Sequence, residues 1–491
     1  MHPKKGGHVP IEPTMTIAGK PATSDDWIEV RNPADLSVVV GRYPNGSAAH
    51  AGSAVEAAAE ALSAWRDTPA AQRGALLMKA AGAVNERSTD LIPMLTAENG
   101  KTLMESFIDF QMGAMTLGYY APHAEWLEDK VLDNETRRLR VQKQPIGVCA
   151  AIVPWNFPVG LACAKIGPAL MAGNTMVVKV PEFAPLATLE CLAAVAAVFP
   201  PGVLNIVSGF GPEVGSALVT DRRVRKVAFV GSTETGKAVM ADAASHLASV
   251  TLELGGNDAA LILDDAELDE QAIGRIVNGA FADAGQICFA IKRLYVHETR
   301  YDELVTKLRA AVDRIIVGDG SRPGVTMGPL NNERQFKKVT ALLAETKAAR
   351  LDVVQLGSYA EGTDATGGYF MLPHLVLNPV DHAAVVACEQ MGPILPVMKF
   401  ADIDEVVRRA NDSPYGLASS VWSRDIDKAF AIGSRLEAGT TWVNSHNLAS
   451  SDVDGPFGGY KESGIGQDFG RETGLWQYTQ YKTISDSYHG V

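Results

Sequence analysis

Residues 148–182 read VCAAIVPWNFPVGLACAKIGPALMAGNTMVVKVPE. Two short apolar runs rich in β-formers, 148–153 and 175–180, flank a segment whose apolar residues recur at helical spacing. A buried strand, a helix and a second buried strand make a βαβ unit, so the segment predicts parallel strands covered on both faces. The rhythm continues downstream. A helix is expected around 188–198, then the strand VLNIVSG at 203–209, a helix at 213–219, the strand KVAFVG at 226–231 and a helix at 234–248. A second alternating region follows Glu253, with AALIL, RLYVH, GYFMLPHLVL, PILPVMKF, SSVWS and TTWVN as strand candidates. No Gly-, Ser- or Pro-rich break separates the two regions, which predicts two α/β units sharing a tight interface.

Outside this core the character changes. Residues 27–30 read as extended, Asn32-Pro33 as a turn, and 48–65 and 73–87 as helices packed on something else. The stretch 127–144, LEDKVLDNETRRLRVQKQ, is highly charged, and its alternation at 138–142 predicts an exposed or edge strand. Such a ribbon is either simply solvated or an arm that adds to a neighbouring subunit.

Composition narrows the classes of function. A length of 491 residues corresponds to about three domain-sized units. With 44 Lys and Arg against 57 Asp and Glu, the formal net charge of -13 disfavours a general nucleic-acid or anionic-membrane partner. The five cysteines contain no CxxC pair and no His/Cys spacing of a metal module, which argues against disulfides and zinc and fits a reducing, cytoplasmic setting. No apolar run reaches the ~18 residues of a membrane helix, and MHPKKGGHVP at the N-terminus has no apolar stretch behind its basic residues.

Several residues have the chemistry of a site. Cys288 follows a Gly285-Gln286 turn, where free backbone N–H groups would favour a thiolate nucleophile. Among Ile287, Phe289 and Ala290 such a cysteine is more often a small buried apolar residue. Glu253, in VTLELGGN, is a carboxylate in an apolar run: either a buried general base or a strand-end residue in water. Asn156 lies in PWNFP, a loop stiffened by two prolines and able to aim an oxyanion donor, or simply to satisfy its own turn. Lys179 and Glu182, just past a buried strand, are placed to hold the hydroxyls of a ribose or to form a surface ion pair. The glycine patterns 209–215 and 231–236 each follow a strand and open a helix, as phosphate cradles and ordinary turns both do.

In order, the chain carries PWNFP, KVPE, FVGSTETG, LELGGN, GQIC, CEQMGP and PFGGYKESGIG. From Trp27 to about Lys482 this resembles the NAD(P)-dependent aldehyde dehydrogenase superfamily. The resemblance implies an α/β fold with a Rossmann-like cofactor domain (1–124 and 146–254), a catalytic α/β domain (255–456) and a small β-arm oligomerisation domain (125–145 and 470–491). It implies a homodimer or homotetramer acting on a small aldehyde, with no metal. Cys288 would attack the aldehyde, with the oxyanion held by Asn156 and the Cys288 N–H. Glu253 would activate water against the thioester, and Lys165 would relay protons. Because acyl-transferring relatives that use coenzyme A generally lack this glutamate, Glu253 predicts a free acid. A coenzyme A-acylating or specialised semialdehyde dehydrogenase, or a catalytically silent homologue, is the alternative.

Cofactor contacts are implied for Ile152, Pro154, Trp155, Lys179, Glu182, Gly211, Phe229, Gly231, Ser232, Leu254, Gly255, Glu389 and Met391. Glu182 would repel a 2′-phosphate, so NAD is expected over NADP. The chain departs from the family pattern at Met391, where Phe is usual, and at Cys388, where Glu is usual. Ala164 stands where many relatives have a large aromatic. With Phe157, Leu161, Ile287, Phe289 and Phe457 as further walls, and a small polar stretch at 444–450, a roomy tunnel for a medium-sized uncharged aldehyde is expected.

Overall fold

The computed structural model describes residues 11–134, 137–446 and 453–486. The N-terminal residues 1–10 and positions 447–450 of the polar stretch therefore lie outside the described residues.

The βαβ rhythm of the sequence becomes two sheets. The first is built on β1 (Val148–Ile152), β2 (Thr175–Lys179), β3 (Leu204–Val207), β4 (Val224–Val230) and β5 (Ser249–Glu253). These run parallel in the order β3-β2-β1-β4-β5, extended by short antiparallel strands: Met15–Ile17 on β3, itself paired with Lys20–Ala22 at that edge, and Gly464–Ile465 on β5. β1 and β2 are buried along their full length, as expected for near-continuous apolar runs covered on both faces. The strand order reverses between β1 and β4, so their carboxyl ends open the crevice where such sheets bind ligands.

The second sheet contains β6 (Asp258–Ile262), β7 (Ile291–His297), β8 (His374–Leu377), β9 (Ile394–Phe400), β10 (Ala418–Trp422) and β11 (Thr440–Val443). They are parallel in the order β8-β9-β7-β6-β10-β11, and Asp352–Gln355 pairs antiparallel on the outer edge of β8. The chain passes from one sheet to the other through Leu254–Asn257, directly after Glu253, which places that carboxylate between the two.

Helices position the rest. α1 (Ala70–Asn99) runs well beyond its expected end and stops where Gly100 takes a left-handed φ of 96°. Two residues later Thr102 caps α2 (Leu103–Tyr119) in a reciprocal capping box with Glu105. α3 (Pro158–Met171) follows the PWNFP loop, with Pro158 in its first turn, where a missing N–H costs nothing. α4 (Thr233–Ala244) starts from a Ser232 cap and α5 (Glu270–Phe281) leads toward Cys288.

The charged stretch forms a hairpin, Lys130–Asn134 with Arg137–Pro145, joined antiparallel by Thr479–Asp486 of the same chain. Val131, Leu132, Tyr481 and Ile484 on this ribbon are exposed. Among the described residues, no helix is long and apolar enough to cross a membrane.

Candidate active site

Between the sheets lies a cavity of about 780 Å³ whose wall includes Cys288, Asn156 and Glu253. Three separate elements deliver these side chains. Asn156 comes from the loop after β1, Glu253 from the end of β5, and Cys288 from the turn after α5.

That turn is more strongly bent than the Gly-Gln signal implied. Asp283, Ala284 and Gly285 all have positive φ, 50°, 54° and 74°. A Cβ at Gly285 would come within 2.5 Å of the Gly392 carbonyl oxygen. Gln286 ties the turn down: its Nε2 donates to the Asp283 carbonyl at 3.0 Å, and its Oε1 accepts from Asn331 N at 3.0 Å. The Asn156 Nδ2 donates to the Gln286 carbonyl at 2.9 Å, so the amide already reaches the nucleophile's turn.

Cys288 is half-buried. Burial, reinforced by the nearby Asp258 and Glu389 carboxylates, pushes its thiol up to about 12, against the opposing pull of Lys292 and of the hydrogen bond with the Phe289 backbone. Burial thus holds the sulfur of the cofactor-free protein toward the thiol form, and it must lose its proton before it attacks.

Glu253 is buried, which removes the solvent-exposed alternative. Its Oε1 accepts from Lys165 Nζ at 2.9 Å, and the same ammonium contacts Asp468 Oδ2. Both partners of the Lys165 charge are themselves buried. A buried ammonium with two carboxylates in contact is a poised charge cluster beside the nucleophile.

At the carboxyl edge of the first sheet, Ile152 and Phe229 pair across β1 and β4, and Pro154 and Trp155 follow half-buried. Lys179 is buried, and burial lowers its affinity for its proton; its Nζ donates to Glu182 Oε1 at 3.0 Å. The same oxygen accepts from Gly211 N at 2.9 Å. Gly231 passes beneath the Phe229 ring, where a Cβ would meet the ring at 2.5 Å. Ser232 Oγ accepts from Thr235 N at 3.3 Å, capping α4. From the other unit, Glu389 Oε1 accepts from Gly256 N at 3.0 Å, and a Cβ on Gly255 would strike that carboxylate at 2.8 Å. Leu254 packs on Gly236, and Met391 sits beyond Glu389 with φ 45°. This cleft has the features a dinucleotide needs: a carboxylate on a strand end, a capped helix start and glycines permitting close approach.

The Aldehyde dehydrogenase family profile matches residues 20–484. Aldehyde dehydrogenase 1A1 of Homo sapiens is 39% identical over 441 residues, covering 88% of this chain and 86% of its own. The crystal structure of betaine aldehyde dehydrogenase from Staphylococcus aureus in complex with NAD+ has a TM-score of 0.91 at 31% identity, covering 97% of this chain and 95% of its own. An E. coli NADP dependent enzyme gives 0.92 at 34%, covering 97% and 98%. This chain belongs to the aldehyde dehydrogenase family.

As an aldehyde dehydrogenase it is an oxidoreductase that converts aldehydes to carboxylic acids, and its two sheets are the Rossmann-like and catalytic α/β units that the motifs implied. Phe157, Leu161, Ile287, Phe289 and Phe457 line the dehydrogenase's cavity as expected. Ala164 does not. It is 3% exposed inside a cluster with Leu417, Trp442, Phe457 and Phe469, so its small side chain accommodates those rings and does not widen the cavity. Three things escaped the sequence reading: the Phe469 wall, the Asp468 partner of Lys165, and the apolar α2 residues Ile108 and Met112. Asp468 and Phe469 lie just past PFGGYKESGIG, and nothing in their spacing marks them.

Proposed function

We propose that this aldehyde dehydrogenase uses NAD and releases a free carboxylic acid through a covalent cycle on Cys288. The observation that carries the proposal is the convergence of Cys288, Asn156 and Glu253 on one cavity, with Lys165 on Glu253. The Cys288 thiol releases its proton to solvent water as the sulfur adds to the aldehyde carbonyl carbon. The Asn156 amide and the Cys288 N–H receive the oxyanion. NAD, when bound, supplies the hydride acceptor. Collapse of the oxyanion leaves an acyl thioester on Cys288. Glu253 then takes a proton from water, the water oxygen attacks the thioester carbonyl, and the acid leaves as the Cys288 sulfur is freed.

Lys179, Glu182 and Gly211 would hold the adenosine ribose, Ser232 and the start of α4 the pyrophosphate, and Glu389 the nicotinamide ribose. A carboxylate at 182 accepts hydrogen bonds from ribose hydroxyls and repels a 2′-phosphate, which supports NAD over NADP. The aromatic and aliphatic walls of the cavity support an uncharged, medium-sized aldehyde. The exposed apolar residues of the ribbon support a homo-oligomeric assembly through that face, and the five unpaired cysteines support a cytoplasmic setting.

The test is an aldehyde panel read by NADH absorbance with wild type and Cys288→Ala, with and without coenzyme A. Hexanal or benzaldehyde should outpace succinate semialdehyde, Cys288→Ala should be inert, and no acyl-coenzyme A should form. Acyl-coenzyme A as the main product would overturn the hydrolytic reading.

A further inference from the structure

The turn between α1 and α2, Asn99-Gly100-Lys101, lies next to the loop that carries Asn156. Its side chains hold two successive carbonyls of that loop. Asn99 Nδ2 donates to the Trp155 carbonyl at 2.7 Å, and Lys101 Nζ donates to the Asn156 carbonyl. Lys101 Nζ also lies 3.8 Å from the centroid of the Phe157 ring, so one ammonium fixes the oxyanion residue by its backbone and its neighbour by the ring face.

This lysine is 1% exposed, and a buried ammonium needs compensation. Asp109 Oδ2 stands 4.0 Å away and Asp283 Oδ2 3.9 Å away, both buried. Each carboxylate links the ammonium to another part of the site. Asp109 Oδ1 accepts from Gly160 N at 2.7 Å, in the first turn of α3, just after the Asn156 loop. Asp283 lies in the left-handed turn before Cys288, and its backbone N donates to Glu105 Oε1 at 2.7 Å. Burial raises Asp283 well above the ordinary carboxylate range and Asp109 to about 6, so Asp109 is the principal counter-charge at neutral pH.

The lysine's own turn is also fixed. Asn331 Nδ2 donates to the Asn99 carbonyl at 3.1 Å. Gly320 and Gly328 press so close that a Cβ on either would lie 2.3 Å and 2.0 Å from the Lys101 and Gly100 carbonyl oxygens.

We propose that Lys101 is a positioning residue for the oxyanion site, in which its ammonium, paired chiefly with Asp109, sets the Asn156 amide relative to the Cys288 sulfur. This rests on the assignment of Asn156 as oxyanion donor. Small displacements of such a donor cost rate steeply, because its stabilisation is realised only at the position the oxyanion occupies.

Acylation by p-nitrophenyl acetate tests this without NAD and without a known aldehyde. The Cys288 thiol gives its proton to solvent water as the sulfur adds to the ester carbonyl, an oxyanion forms, and p-nitrophenolate leaves as the acetyl thioester is made. Alkylation by iodoacetamide uses the same sulfur but forms no oxyanion. Lys101→Met should slow the acylation burst about 10–100-fold while leaving the alkylation rate within about twofold. Lys101→Met/Asp109→Asn, which leaves no unpaired charge, should behave the same way. In an Asn156→Ala background, itself slowed about 100-fold or more, Lys101→Met should have little further effect, because the amide it positions is gone.

Equal slowing of acylation and alkylation by both Lys101 variants would mean that the thiol or the fold had been damaged, and would overturn the proposal. So would an undiminished burst in Lys101→Met when Asn156→Ala is slow. An undiminished burst in Asn156→Ala would instead overturn the oxyanion assignment, and this inference with it.

Discussion

Lys165 Nζ lies 2.9 Å from Glu253 Oε1, and both side chains are buried beside the cavity that holds Cys288. A base that must accept a proton from water is thus in contact with a full positive charge. If Glu253 acts only after the thioester forms, Glu253→Gln should retain the first-turnover NADH burst and lose steady-state turnover by about 100-fold or more. Stopped-flow absorbance separates the two phases, and loss of the burst itself would assign Glu253 to the first half of the reaction.

Asp468 shares the Lys165 ammonium with Glu253. Removing its charge leaves Glu253 as the ammonium's one anionic contact, and a carboxylate held harder by a cation takes a proton from water less readily. Asp468→Asn should therefore reduce steady-state turnover about tenfold with the burst preserved, and unchanged turnover would show that the second carboxylate is a spectator.

How much of this site was legible depended on distance along the chain. Asn156, Lys179 and Glu253 were readable because each lies at or just past the end of an apolar strand, so a local pattern placed them at the edge of a parallel sheet. Asp468 was not, since its contact with Lys165 spans 303 positions and no spacing rule reaches so far. Ala164 failed for a related reason. Helical spacing gives the direction of a side chain but not what stands opposite, and here the space is taken by Phe457 and Phe469. For Cys288 the local sequence left a thiolate nucleophile and a small buried apolar residue both open, and it could not show the Asp258 and Glu389 carboxylates, which come from other segments.

Glu182 Oε1 already accepts from Lys179 and from Gly211 N, so its carboxylate is oriented before any ribose arrives. Glu182→Ser should remove the repulsion toward a 2′-phosphate while keeping a hydroxyl for hydrogen bonding. The kcat/KM ratio of NADP to NAD is expected to rise by about tenfold or more. A wild type with equal kcat/KM for both cofactors would deny Glu182 this role.

The Cys288 thiol, raised to about 12 in the cofactor-free protein, makes its own pH signature. Well below that value the thiolate fraction grows tenfold per pH unit. The iodoacetamide alkylation rate of Cys288 should therefore climb about 100-fold from pH 7 to 9 and show no plateau by pH 9.5. A plateau near pH 7 or 8 would mean the sulfur is already activated without cofactor.

His446 anchors the backbone of Phe289, the residue after the nucleophile. Trp422 Nε1 donates to Ser420 Oγ at 2.9 Å, which leaves the Ser420 hydroxyl hydrogen for His446 Nδ1 at 2.9 Å. Nε2–H then donates to the Phe289 carbonyl at 2.9 Å. A proton added at Nδ1 would set two donors against each other, and burial, helped by the nearby Lys292 charge and opposed by the Phe289 hydrogen bond, lowers the imidazole to about 3. The unfolded chain takes up that proton near 6.5. Neutral His446 thus contributes stability in full above about pH 6.5, and the contribution is lost as pH falls toward 3. By pH 4.5 the loss from this group amounts to about 2–3 kcal/mol. Thermal unfolding midpoints measured from pH 8 to 4.5 should fall for wild type and fall less for His446→Gln, whose amide does not titrate. Parallel declines for the two proteins would place the acid sensitivity on other groups.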